Sequence, residues 1–200
     1  NMSDLYKSYD GKGKLPTTSA PSPSDFLNAF REASISASSV LCLTVASHFS
    51  ASYQSARTAA VEAERELEST RIVILDSGSA AGGEGLVVTE AWRTARCGGS
   101  LDDVIASAEA VIKKVSLIAF LDTLYYLWKG GRVPGIAYAG TSLLGIKPLF
   151  ELRQGKVRNI AKPRTSPRAM RSLVEMICRE VACKCGPVRV SVMHVDDPKG

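Results

Sequence analysis

Histidine is almost absent: His48 and His194 are the only two in the chain. Sites built from histidine and cysteine need three or four ligands at set spacings. The one close cysteine pair, Cys183-Lys-Cys185, lacks the two-residue spacer of a zinc knuckle, so no metal is expected. Cys42, Cys97, Cys178, Cys183 and Cys185 are odd in number. That fits poorly with a closed disulfide framework and better with reduced thiols in a cytoplasmic protein. No apolar run approaches the roughly 20 residues that span a bilayer, and the longest, 115–121, is strand-sized. No charged segment followed by an apolar one opens the chain, so no signal peptide is expected. The serines carry no G-x-S-x-G elbow. Asp10-Gly-Lys-Gly13 and Lys129-Gly-Gly-Arg132 lack Walker spacing, and the 78–85 stretch lacks a G-x-G-x-x-G fingerprint.

What remains is an ordinary globular composition, 45% apolar and 22% charged over 200 residues with a net charge of +5. The positive charge is concentrated. Between Leu152 and Val174 there is no acid, but Arg153, Lys156, Arg158, Lys162, Arg164, Arg168 and Arg171 all fall there. Such a run is usually a solvated face, or else a docking surface for an acidic partner. It lacks the aromatic interleaving of a single-strand binder, so nucleic acid is not expected as a partner.

Periodicity predicts a short helix over 3–9, an extended loop over 15–23, and a helix capped by Ser22 or Ser24. A buried strand over 39–46, a helix over 52–67 and a second strand over 71–76 come next. Helices over 83–97 and 101–114 follow, the latter capped by Ser100. Strands alternating with helices indicate a parallel sheet. From residue 115 the pattern changes to a strand over 116–121, helical turns over 122–128 and a small-residue helix over 137–144. A hairpin around Arg153-Gln-Gly155 follows, then an amphipathic helix over 166–183 and a last strand over 188–194. The fold class is therefore α/β, a parallel-sheet domain over 1–114 followed by a second, smaller α+β domain over 115–200.

Ligands of open parallel sheets sit at the carboxyl ends of the strands. Ser47, Ser50 and Ser52 stand where the first strand passes into a helix, and Thr17, Thr18 and Ser19 precede the first long helix. A helix start offers unpaired amides and a positive dipole end, which together bind an anion without a cationic side chain. A carboxylate there accepts charge-assisted hydrogen bonds. The same spacing also describes an ordinary cap, and taken alone it more often means that. A Ser-His-Asp triad using His194 with Asp196 or Asp197 has no supporting motif. In 122–132, Tyr126 and Trp128 suit a core and a partner-facing surface equally.

These segments together resemble the DegV family. Leu15-Pro-Thr-Thr-Ser-Ala-Pro-Ser-Pro23 resembles its threonine-serine-x-proline-serine loop. Ala46-Ser-His-Phe-Ser-Ala-Ser-Tyr-Gln-Ser-Ala56 is similar to its I-S-S-x-L-S-G-T-Y-Q-S-A segment. Val73-Ile-Leu-Asp-Ser77 with Gly83-Glu-Gly85 matches its V-I-D-S and G-x-G block. Leu121-Asp-Thr-Leu-x-Tyr-Leu-x-Lys-Gly-Gly-Arg132 and then Ile146-Lys-Pro148 complete the order.

The resemblance implies a two-domain α/β protein with a long-chain fatty acid between its domains. The carboxylate would be held by Thr18 and Ser50. It further implies a protein that is no enzyme and needs no cofactor, but presents the acid to a fatty-acid kinase, with Arg132 and Arg164 on the kinase-facing surface. A serine-dependent hydrolase, or another enzyme acting on small acids, is the alternative. Ala51 and Ser52 depart from the family's glycine and threonine. The family's opening T-D-S and closing H-T-G-P-G motifs are not found, so the chain reads as an internal portion, truncated at both ends.

Overall fold

A computed structural model describes residues 17–135, 137, 139, 140 and 144–195. The short helix expected over 3–9, part of the helix over 137–144, and Asp196 and Asp197 lie outside the described residues. Helix α1 (Pro23–Ser34) opens with a capping box. Ser22 Oγ accepts from the Asp25 amide at 3.2 Å, and Asp25 Oδ2 accepts from the Ser22 amide at 2.8 Å. This reciprocal pair satisfies two donors that a helix start leaves orphaned, and it pulls the Asp25 carboxyl below its ordinary pKa. Strand β1 (Ser39–Thr44), helix α2 (Ser52–Glu66) and strand β2 (Arg71–Asp76) follow. Helix α3 (Ala81–Arg96) ends at Gly98, whose φ of +82° suits glycine. Helix α4 (Leu101–Ile112) repeats the capping box with Ser100 and Asp103.

Strands β1 and β2 pair in parallel, Ser39 opposite Arg71 through Thr44 opposite Asp76. Alternate side chains enter opposite faces of such a pair. Val40, Cys42, Ile72 and Ile74 meet Leu27 and Phe30 of α1 and Ala59, Ala60 and Ala63 of α2. Leu41, Leu43 and Leu75 meet Val87 and Ala91 of α3 and Val104 and Ala108 of α4. The strands are thus covered on both faces, which is why they read as continuous apolar runs. The all-alanine buried face of α2 lets that helix sit close.

Helices α1 and α2 each run into the strand that follows, and those strands are parallel. Near the end of α1, Arg31 holds Glu66 at the end of α2 with a forked pair at 2.7–2.9 Å. Both helices therefore begin at the carboxyl end of the sheet. The 17–22 and 45–51 loops both lead into helices at that end.

Beyond Val115 the sheet is antiparallel, in the order β3 (Leu117–Phe120), β4 (Leu149–Arg153), β5 (Lys156–Ala161). Helix α5 (Tyr125–Lys129) follows β3, and α6 (Ser166–Ala182) follows β5 and packs on β3. The β4–β5 turn puts Gln154 and Gly155 at φ +49° and +72°, the two-residue turn whose twist matches a hairpin. Glu151 of β4 is buried, and its carboxylate accepts from Ser116 Oγ (2.7 Å), Arg153 Nε (3.0 Å) and Arg158 Nη2 (2.7 Å). Two of the seven clustered basic residues thus serve the fold. Burial pushes the Glu151 carboxyl up, but Ser116 and the two arginines outweigh it and hold its pKa below the ordinary value.

The strand expected over 188–194 does not form. Arg189 pairs with Glu90 of α3 at 2.8 Å, and Ser191 and Met193 lie over Gly82. Val188, Val190 and Val192 face outward. Alternation predicts a one-sided strand, but a strand also needs a partner edge. This segment docks by side chains on a helix instead.

The depressed Glu151 pKa stabilises the fold above the ordinary glutamate value of 4.5. That contribution disappears as pH falls through the lower folded value. Glu151→Gln is expected to cost about 1–2 kcal/mol at pH 7 and less at pH 3, measured by urea unfolding at both.

Candidate functional site

Asp76, the last residue of β2, accepts from the Ser47 amide through Oδ2 at 3.1 Å and from the Gly78 amide through Oδ1 at 2.8 Å. One carboxylate thereby holds both loops at the carboxyl end of the sheet. The Ala46 amide adds a bond to the Ser79 carbonyl at 2.7 Å, and the Phe49 amide closes a turn on the Ala46 carbonyl at 2.9 Å. Burial and, behind it, Asp76 push the Glu84 carboxyl up. Thr44 Oγ1 and Ser79 Oγ are buried here with no hydrogen-bond partner among the described residues. A Cβ on Gly83 would run into the Ser79 hydroxyl, so a side chain there would force that hydroxyl to turn away.

Ser50 is half-buried at the start of α2. Its Oγ accepts from the Ser52 amide at 3.2 Å and shares a hydrogen bond with Ser52 Oγ at 2.8 Å. Ala51 takes φ −74° and ψ 0°, a conformation open to any L residue, so its methyl brings no backbone strain. The first turn of α2 carries no acid, leaving its positive end unopposed by the helix's own side chains. Thr18 is exposed in the loop before α1, at the same end of the sheet, and makes no hydrogen bond with the described residues. Arg164 is exposed between β5 and α6.

Arg132 is exposed but tethered. Just beyond α5 the amides of Gly131 and Arg132 donate to the Trp128 and Leu127 carbonyls of that helix at 2.9 and 2.8 Å. With Gly131 at φ +75°, this is a Schellman cap. Arg132 Nη1 then donates to the Gly130 carbonyl at 2.7 Å, and Nε donates to the Phe49 carbonyl at 3.3 Å. A second tether is backbone alone, the Gly155 amide donating to the Gly78 carbonyl at 2.7 Å. Beside it lies an open cleft of about 440 Å³ whose walls include His48, Asp76, Gln154 and Lys156. Sequence reading missed Asp76 as a clamp and both tethers. The Asp-Ser-Gly and Gly-Gly-Arg turns were visible, but their distant partners were not.

The family model described as "Uncharacterised protein, DegV family" matches residues 1–200. The chain belongs to the DegV family. A DegV domain-containing protein of Clostridium acetobutylicum is 31% identical over 192 residues, 96% of this chain and 67% of the relative. One from Streptomyces coelicolor is 32% identical, over 94% of this chain and 64% of the relative. A solved fatty-acid-binding DegV family protein from Thermus thermophilus superposes with a TM-score of 0.78 at 29% identity, over 91% of this chain and 63% of that one. Another, from Streptococcus agalactiae, has a TM-score of 0.78 at 25% identity, over 92% and 64%. The chain thus spans about two thirds of the length of the relatives it matches.

Two DegV motifs far apart in sequence meet in space. Lys147 Nζ of Ile146-Lys-Pro148 donates to Asp122 Oδ1 of the Leu121-Asp segment at 2.7 Å, and Ser166 Oγ of α6 donates to the same atom at 3.1 Å. The Lys147 bond is the main cause of the lowered Asp122 pKa. Tyr126 is exposed, whereas Trp128 is partly covered, with Lys129 Nζ 4.5 Å from its ring centroid. All five cysteines are free thiols, and burial pushes the Cys42 thiol up. Among the described residues no helix is long and apolar enough to cross a membrane.

Gly78 has φ +58°, and a Cβ there would stand 3.1 Å from the Gly155 nitrogen. Gly78→Ala is expected to destabilise the protein by about 1–3 kcal/mol. Gly85 lies inside α3 with open space around it. Gly85→Ala is expected to be neutral or to stabilise by up to about 1 kcal/mol. Thermal unfolding of the two variants checks both.

Proposed function

We propose that this DegV protein binds a long-chain fatty acid, with its carboxylate at the start of α2 and its acyl chain between two domains, 1–114 and 115–200. The observation that carries this reading is the start of α2. There a half-buried hydroxyl and a first turn without acids lie in a fold shared with fatty-acid-binding relatives. A carboxylate accepts from Ser50 Oγ–H and from amides of the first turn, where the helix dipole favours negative charge. Thr18, entering at the same end of the sheet, supplies the second hydroxyl.

The protein itself makes and breaks no covalent bond in this reading, and no cofactor is called for. It is the substrate-presenting partner of a cytoplasmic fatty-acid kinase, with Arg132 and Arg164 on the surface that faces the kinase. Ser50 bonds Ser52, a hydroxyl rather than the base that a serine nucleophile requires. That supports binding over a serine-dependent hydrolase.

Native mass spectrometry and solvent extraction of the purified protein should recover an acyl chain, and lipid-free protein should take up oleate. Ser50→Ala is expected to weaken oleate binding at least about tenfold, the effect of losing a hydrogen bond to a charged group. Ester hydrolysis by the isolated chain, abolished by the same substitution, would replace this reading with the hydrolase.

A further inference from the structure

We infer that Arg132 is a positioning residue for the loop that carries Ser50, and that it tunes the head-group site before any partner protein arrives. The inference rests on the fatty-acid reading for its ligand but not for its geometry. The Schellman cap fixes the backbone from which Arg132 departs. Nη1 is then pinned to its own turn at the Gly130 carbonyl, which leaves Nε aimed at the Phe49 carbonyl, 83 residues away.

The Phe49 carbonyl and the Ser50 amide belong to one planar trans peptide, so holding the carbonyl sets the direction of the Ser50 N–H. A cation on the carbonyl also polarises that peptide and makes its N–H a stronger donor. The Phe49 amide is held on the other side by the Ala46 carbonyl at 2.9 Å. That bond fixes the preceding peptide, and for the peptide entering Ser50 Arg132 is the only side chain that restrains it among the described residues.

The test uses the full chain, freed of lipid, with two readouts. One is hydrogen–deuterium exchange of the peptide covering residues 47–53. The other is the Kd for cis-parinaric acid, with no kinase present. Arg132→Met keeps the apolar stem and drops the donors. It is expected to speed exchange in 47–53 and to raise Kd about three- to tenfold, the effect of one hydrogen bond. Arg132→Lys keeps one donor and should fall between Met and the native residue. Arg168→Ala, an exposed change on α6, should move neither readout.

Native exchange and native affinity in Arg132→Met would overturn the inference and leave Arg132 a surface residue. Full rescue by lysine with unchanged exchange in both variants would also overturn it, because charge alone would then be acting. Failure of the native chain to bind the probe would count against the fatty-acid reading, and the exchange comparison would still decide the tether.

Discussion

Asp76 takes two backbone amides onto one carboxylate, and the site depends on that arrangement. A parallel pair of strands needs helical crossovers, and each crossover leaves the sheet through a loop whose amides cannot pair within the ladder. At the carboxyl end of this sheet two such loops leave side by side. Asp76 satisfies the Ser47 amide in one and the Gly78 amide in the other. The first loop is thereby set to deliver Ser50 to the start of α2. The second is set to meet the turn of the β4–β5 hairpin. Loss of this carboxylate would leave both amides without that acceptor and leave the loops joined by the Ala46–Ser79 backbone bond.

The DegV motifs then divide by what they do physically. The Asp122 and Lys147 motifs are one ion pair seen from its two ends, joining the segment after β3 to the one before β4. Lys129-Gly-Gly-Arg132 is a helix stop whose second glycine supplies the left-handed turn. The first glycine of the G-x-G block is a place where a side chain would collide with the Ser79 hydroxyl. These segments build and align the site. The hydroxyls of Ser50 and Thr18 are left for the ligand in the proposed reading. Motifs spread over 130 residues can therefore recur together although few of them would touch the bound molecule.

Much of this was legible locally. Arg71–Asp76 reads as a strand and is one. Both capping boxes follow from a serine three residues before an aspartate, and the Gln-Gly turn announces its hairpin. These features depend on neighbours in the chain. What escaped depends on distant partners. Arg153 and Arg158 read as a charged face, yet both pair with the buried Glu151, and Arg153 also with Glu180, 27 residues away on α6. The alternating valines after residue 187 read as a strand, since alternation reports a two-sided environment without saying whether an edge is available. The role of Arg132 at Phe49 crosses 83 residues and has no local signature.

If the carboxylate is what the start of α2 holds, binding must be sensitive to that group and not only to the acyl chain. The direct measurement is calorimetric titration of the lipid-free protein with oleic acid and, separately, with methyl oleate. The tail is the same in both, but the ester carries no charge. A head group held by hydroxyls and helix amides predicts at least about tenfold weaker binding of the ester. Equal affinities would contradict it and would mean that the acyl chain alone is recognised.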